Sequence, residues 1–451
     1  MRIFRTWELG EEKVRELLTR PFIDEVEVTA AFQERTKAVW GEALSPQEVV
    51  ARILNQVKTR GNDAVIEYAA KLDGAELTAE SLWVSDAEWE EALSQVSGDL
   101  KEALRNACSN IERYHAGQKP KSWITVEPDG SILGQKVTPL DRVGIYVPGG
   151  SAPLVSTVLM CAIPARVAGV GEVVMASPVG KSGMMNPHIL AAAHLAGVDR
   201  VLKVGGAQAI AALAYGTRTI PVVDKIVGPG NIFVTLAKQM VYGRVGIESL
   251  AGPSEILVLA DETANPRYLA ADLLSQAEHD PEAAAILLTD SSSLAEEVQR
   301  EIAAQLQDLG RKAIAELSLA KNGVILVCRD MKEAACWANS CAPEHLELCV
   351  ADPFGMLHLI RHAGAIFLGA IGCEPIGDYI AGPNHVLPTN GTARFSSPLG
   401  TEDFLKHSSI ISYTKEGLAR FGPDAIRLAE VEGLGAHANA IRIRLETLAD
   451  K

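Results

Sequence analysis

The sequence predicts an α/β protein with two doubly wound, incomplete Rossmann-like parallel-sheet domains, a helical N-terminal region and a small helical C-terminal tail. Three observations carry this expectation. From Arg142 onward, short uninterrupted apolar runs alternate with helical stretches, the pattern of parallel strands covered on both faces. The same rhythm begins again after Ala251-Gly-Pro-Ser254. Aromatic residues are only 5% of the chain while Ala and Gly abound, which suits closely packed helix-on-sheet layers.

The elements follow in order. Residues 1–142 read as a helical region and β connector, expected to pack with the second α/β unit. Ser45-Pro46 opens a helix through residue 57, and helical patterns cover 62–72, 86–95 and 99–117. The connector has strand-like runs at 123–126 and 132–137. Residues 143–254 form the first unit, with strands at 143–147, 172–176, 200–204 and 224–227. Helices lie at about 154–168 and 187–197, from near 207, and through about 242. Residues 255–399 form the second unit, with strands at 255–259, 284–288, 323–328, 346–350 and 365–368. Its first helix starts at Asn265-Pro266 and stops before Pro281, with Leu269, Leu273 and Ala277 as its buried stripe. Residues 369–400 are loop-like. The tail, 400–451, has helical pieces at about 423–432 and 437–449, split by Gly433-Leu-Gly435.

Composition narrows the function. A formal charge of −15 argues against nucleic acid or an anionic membrane as main partner. The seven cysteines (Cys108, Cys161, Cys328, Cys336, Cys341, Cys349 and Cys373) are odd in number, scattered and mostly in apolar contexts, as expected of reduced cytosolic thiols. No N-terminal apolar block or membrane-length run stands out, so a soluble, cytoplasmic protein is expected.

Several groups of residues have the makings of chemistry. Gln276 and His279 are three apart at the end of a helix, and share one side: a solvated polar face, or half of a metal site. Glu278 points elsewhere. Three strand-to-helix turns, Pro148-Gly-Gly-Ser151, Gly205-Gly-Ala-Gln208 and Gly228-Pro-Gly-Asn231, are either plain tight turns or a cradle for a phosphate or dinucleotide. Glu344-His345 precedes a strand, placing an acid–base pair at the sheet edge. Asp378 and His385 lie in a long polar loop, where function concentrates. Glu432 and His437 flank the break in the tail.

These segments resemble one family. Gly144-Ile-Tyr-Val-Pro-Gly-Gly-Ser151, Val204-Gly-Gly-Ala-Gln-Ala-Ile-Ala211, Val223-Asp-Lys-Ile-Val-Gly-Pro-Gly-Asn231, Ala251-Gly-Pro-Ser-Glu255, Asp272-Leu-Leu-Ser-Gln-Ala-Glu-His279, Pro343-Glu-His-Leu346 and Gly377-Asp378 with Asn384-His-Val-Leu-Pro-Thr389 are similar, in order, to histidinol dehydrogenases. The resemblance implies a four-electron oxidation of L-histidinol to L-histidine through the aldehyde, the last step of histidine biosynthesis, with zinc and two NAD+. It implies Gln276, His279, Asp378 and His437 as zinc ligands, one zinc per subunit, His437 reaching the other subunit of a homodimer with shared active sites. Glu344 and His345 match the catalytic pair, and Tyr146, Gln208 and Asn231 match NAD-binding positions. Ser254, Glu432, His345 and the four ligands match the substrate-binding set. Residues 1–120 match no motif.

The residue types suit that chemistry. Imidazoles with carboxylate and amide oxygens fit a borderline divalent ion. No cysteine sits in a nucleophile setting, which disfavours a thioester route. Three rivals stay open: a related zinc- and NAD-dependent dehydrogenase acting on another alcohol, a metallohydrolase with Glu344 as base, and a non-catalytic binding module.

Overall fold

Two parallel sheets of the same winding organise the chain, and a small antiparallel sheet is the third. The computed structural model describes residues 1–20, 30–149 and 153–449. β1 (Arg2–Arg5) opens the chain, and β2 (Trp123–Val126) and β3 (Ile132–Pro139) follow the N-terminal helices. The first parallel sheet takes β4 (Arg142–Tyr146), β5 (Glu172–Ala176), β6 (Arg200–Leu202), β7 (Lys225–Val227) and β8 (Gly246–Ile247), in the order β6-β5-β4-β7-β8. The second takes β9 (Glu255–Ala260), β10 (Ala284–Thr289), β11 (Val324–Val327), β12 (His345–Cys349) and β13 (Ala365–Leu368), in the order β1-β11-β10-β9-β12-β13. Each sheet winds outward from a central strand and then returns to that strand's other side. Such a reversal leaves a crevice at the switch point, here between β4 and β7 and between β9 and β12. β14 (Leu405–Ser412) pairs antiparallel with β3.

The contacts divide the chain into two units, Met1–Gln118 with Leu140–Phe404, and Lys119–Pro139 with Leu405–Lys451. Both parallel sheets lie in the first. β9, β10, β11 and β12 are buried at every position, as continuous apolar strands require. Leu269, Leu273 and Ala277 pack on Ile256 and Val258, so the stripe read from the sequence is the buried one. Val14 and Leu18 pack on the opposite face with Leu257 and Leu326. No helix among the described residues is long and apolar enough to cross a membrane.

The N-terminal region departs from expectation. β1, Val14 and Leu18 do join the second sheet. The helices Pro46–Arg60, Asp86–Gln95 and Gly98–Ala116, however, pack on helices of the first. Their apolar stripes carry no address for a partner, so the sequence could not distinguish the two sheets. β1 and β14 are likewise unexpected strands. β14 has no buried residue and is held by its register with β3, which no local pattern reveals. The first tail helix begins at Lys415, capped by Thr414, and runs through Pro423. The 369–400 loop contains a helical turn, Glu374–Ile376, and a π-helical turn, Gly377–Ala381.

Candidate active site

A cluster of titratable side chains gathers at the N-terminal edge of β9 and β12. The helix Met331–Cys341 ends at Ala342, whose left-handed conformation (φ 51°) delivers Pro343 and Glu344 to that edge. Glu344 Oε2 accepts from the backbone N–H of Glu255 at 2.8 Å. His345 Nδ1 lies 3.1 Å from the Glu255 carbonyl, so it carries the proton that this acceptor needs. That leaves Nε2, buried and without a hydrogen-bond partner, 3.6 Å from Asp378 Oδ1. Asp378 Oδ2 in turn lies 3.7 Å from His385 Nδ1.

The π-helical turn carries Asp378, and Glu374 stands four residues before it. His345, Glu374 and Asp378 bring one ligand atom each within 4.8 Å of one another. Glu374 accepts from Ser275 Oγ at 3.2 Å, and its N–H donates to Glu347 Oε1 at 2.8 Å. Glu374 is one of the residues that sequence reading missed. Its signal was there: a carboxylate four residues from Asp378 shares a helical face with it.

Gln276 supplies the test for a metal. It is 1% exposed, yet neither Oε1 nor Nε2 has a partner in the protein. An unsatisfied buried amide costs about 1–3 kcal/mol, and a metal ion is one group that would complete it. His279, just past the same helix, stands at the open side where solvent reaches it. Burial still holds its imidazole below the usual range, against the upward pull of Asp378. A carboxamide, imidazoles and carboxylates together are a donor set that fits a borderline divalent cation.

Electrostatics bind the cluster together. Burial pushes the Glu344 carboxyl up to about 8, with the His345 imidazole and the Glu255 N–H holding it back. Burial disfavours a charged His345, but Glu344, Asp378 and Glu374 outweigh it and lift the imidazole to about 10. Burial and the charge of Asp378 raise Glu374 to about 8. Asp378 stays near 2: burial opposes its charge, but His345, His385 and the Glu374 carboxyl stabilise it. Without a cation, this is a proton-rich site around one persistent carboxylate.

The other expected residues lie at the C-terminal edge of the first sheet. Tyr146 ends β4, and its hydroxyl accepts from the Gly206 N–H at 3.0 Å. Gln208 is fully buried, with Oε1 unpartnered. Asn231 follows β7 and caps the helix Ile232–Val241 by accepting from the Phe233 and Val234 N–H groups. A dinucleotide fits an edge with such an orphaned amide beside a switch point. One expectation changes. The N–H groups of Gly206 and Gly228 are not free for phosphate, because Tyr146 takes the first and Glu248 the second, at 2.7 Å. In the third turn, Gly150 and Ser151 lie outside the described residues. Ser254 directly precedes β9, and its carbonyl accepts from Ala284. Glu432 and His437 belong to the second unit, exposed along an apolar groove with Leu428, Leu434 and Ile441.

The family profile described as Histidinol dehydrogenase matches residues 41–445. The chain belongs to the histidinol dehydrogenase family. Its relatives include the histidinol dehydrogenases of Syntrophotalea carbinolica, 55% identical over 89% of this chain and 93% of that one, and of Halalkalibacterium halodurans, 54% identical over 89% and 94%. The crystal structure of histidinol dehydrogenase from Elizabethkingia anophelis superposes with a TM-score of 0.91 at 38% identity, covering 100% of this chain and 99% of that one. Family membership makes the chain an oxidoreductase of histidine biosynthesis.

Proposed function

We propose that the protein oxidises L-histidinol to L-histidine by way of the aldehyde, with two NAD+ as hydride acceptors, and that it does so in the cytosol. The observation that carries this reading is the pairing of His345 with Glu344 and Asp378 at one sheet edge, and the unpartnered buried amide of Gln276 supports it. Gln276, His279 and Asp378 would hold zinc, with His437 of the partner subunit as fourth ligand in a homodimer. Glu374 would orient Asp378 through their shared proton, as groups behind metal ligands do. The ion would supply a fixed positive charge for the amine and imidazole of the substrate, and would draw off the carboxylate pull that keeps His345 protonated. NAD+, held near Tyr146, Gln208 and Asn231, would accept hydride.

The protein's own residues then divide the proton work. In the alcohol step His345 Nε2 takes the hydroxyl proton, since Nδ1 is engaged with the Glu255 carbonyl. In the aldehyde step Glu344 takes a proton from water as it adds to the carbonyl, aided by His345. A carboxyl lifted towards neutrality can both accept and return a proton near the working pH. Ser254 and Glu432 would complete the substrate's surroundings. Burial pushes the thiols of Cys108, Cys161, Cys328, Cys341 and Cys349 up, away from thiolate chemistry, which supports a route without a covalent thioester.

NADH formed per histidinol consumed tests the reading. A ratio near two is expected, and a ratio near one removes the four-electron oxidation. Sharing of the site is tested by mixing His437→Ala subunits with His345→Ala subunits. Mixed dimers should regain activity, and no recovery in verified mixed dimers would set the partner's role aside.

A further inference from the structure

The N-terminal helical region matches no motif, yet one of its side chains reaches the cofactor edge of the first sheet. The helix Asn62–Tyr68 widens into a π-helical turn, Ala69–Asp73, and Gly74 follows with φ 69°. Turns of this kind are rare and gather at functional places. This one ends on Asp73, whose Oδ2 accepts from Gln208 Nε2 at 3.0 Å. Burial pushes the Asp73 carboxyl up, while the Gln208 amide and the Gly205 N–H hold it back. Gln208 is therefore gripped by its nitrogen, with its buried Oε1 still lacking a donor. That oxygen lies 2.7 Å from where a Cβ of Gly206 would stand, so it sits tight under the turn.

The position matters because of the winding. In a sheet of this order the dinucleotide crosses the switch point, here β4 to β7, and an acid on the side of the outward-wound strands reads the adenosine ribose. That acid hydrogen-bonds the 2′-hydroxyl and opposes a 2′-phosphate, whereas a cation there accepts the phosphate. The stretch after β5, where such an acid would normally stand, reads Ser177-Pro-Val-Gly180 and offers none. Asp73 brings one to the turn after β6 from outside the sheet. Lys181 passes alongside, its Cγ 3.2 Å from the Cβ position of Gly74.

We propose that Asp73 is the specificity-determining residue that makes this site take NAD+ rather than NADP+, positioning Gln208 and setting a carboxylate where the adenosine ribose is read. The inference rests on the reading of Tyr146, Gln208 and Asn231 as the cofactor edge.

The test pairs equilibrium binding of NAD+ and of NADP+ to the full chain, by calorimetry without histidinol, with steady-state kinetics of the metal-loaded full chain at saturating histidinol. Both cofactors are varied on the same preparation. The ratio of the two kcat/KM values is independent of the fraction folded, so partial misfolding of a variant does not enter it. Asp73→Asn should lower the preference for NAD+ by about tenfold or more, through KM with kcat within about threefold, because the carboxylate that opposes a 2′-phosphate is then gone. Asp73→Glu, which keeps the charge, should retain most of the preference. Gln208→Ala and Asn231→Ala should raise KM for NAD+. An unchanged ratio in Asp73→Asn, with Gln208→Ala raising KM, overturns the role of Asp73 alone. If Gln208→Ala and Asn231→Ala also leave KM unmoved, the cofactor placement falls, and the role of Asp73 with it.

Discussion

The two parallel sheets share one winding and, on the proposed reading, are used at opposite ends. The first presents small residues at the C-terminal edge of its strands, with Tyr146 and Gly228 meeting across the switch point. Gly228 has φ 112°, and a Cβ there would collide with the Tyr146 carbonyl. The same edge of the second sheet is acidic. Asp261 follows β9, Asp290 follows β10 and Asp330 lies just beyond β11. Burial and the charges of Asp261, Glu262 and Asp330 together raise the Asp290 carboxyl. An edge of that sign disfavours the phosphates of a nucleotide. The titratable cluster of the second sheet sits instead at the other end of its strands, around Glu255 and His345. On the proposed reading, two copies of one architecture would serve binding and proton transfer without competing for the same corner.

Substitutions at the two edges sharpen that contrast. The largest effect is expected for His345→Ala, a loss of about 10²–10⁴ in kcat, while Asp261→Ala at the acidic edge should leave kcat within about threefold. Comparable losses in both would erase the division of labour. Within the pair, Glu344→Gln should impair aldehyde oxidation more than alcohol oxidation, read by supplying each substrate separately. Next is Gln276→Leu. Metal content by elemental analysis should fall, and activity by about 10- to 100-fold, while the chelator-treated variant melts no lower than the chelated parent, since an unsatisfied amide has been removed. A lower Tm in chelator would mean Gln276 has an internal partner.

At the first sheet, Lys238 is 2% exposed and donates both to Glu248 at 2.7 Å and to the Gly228 carbonyl at 3.0 Å. Lys238→Met strands a buried carboxylate and should cost about 3–5 kcal/mol by denaturant unfolding, with KM for NAD+ rising as the turn loosens. The smallest effect concerns pH. In metal-free protein Glu344 is raised from 4.5 to about 8, so its stabilising contribution is complete below pH 4.5 and is lost as pH rises to 8. His345, raised from 6.5 to about 10, adds loss in the same direction at higher pH. Glu344→Gln should therefore give chelated protein a shallower fall in Tm over this range. A slope as steep as the parent's would move the titration elsewhere.

Much of this was legible in the sequence because it is local. The strand runs, the caps at Ser45 and Asn265, and the stripe of Leu269, Leu273 and Ala277 are set by neighbours within a few residues. The proposed site residues come from motifs, and the first unit brings Tyr146, Gln208, Glu344, His345 and Asp378 to two sheet edges. What escaped notice depends on distant partners. Asp73 is an ordinary acid until Gln208 meets it across the fold, and β14 is a strand only because β3 lies beside it. Glu347 was the most readable of the overlooked residues: a carboxylate inside the buried run Leu346-Glu-Leu348, its charge suppressed by burial and by Asp272.

The loop after Asp378 has a consequence of its own. Asn384 Nδ2 donates to the Met160 carbonyl at 2.7 Å, and His385 Nε2 lies 3.5 Å from Thr157 Oγ1. Both anchors are on the helix Val155–Ala168, which follows β4 of the first sheet. The carboxylate at the centre of one half is thus moored to a helix of the other. Any free energy that passes along this tether is reciprocal: if filling the nucleotide crevice changes the grip of Asp378 on a cation by some factor, the cation changes nucleotide affinity by that same factor.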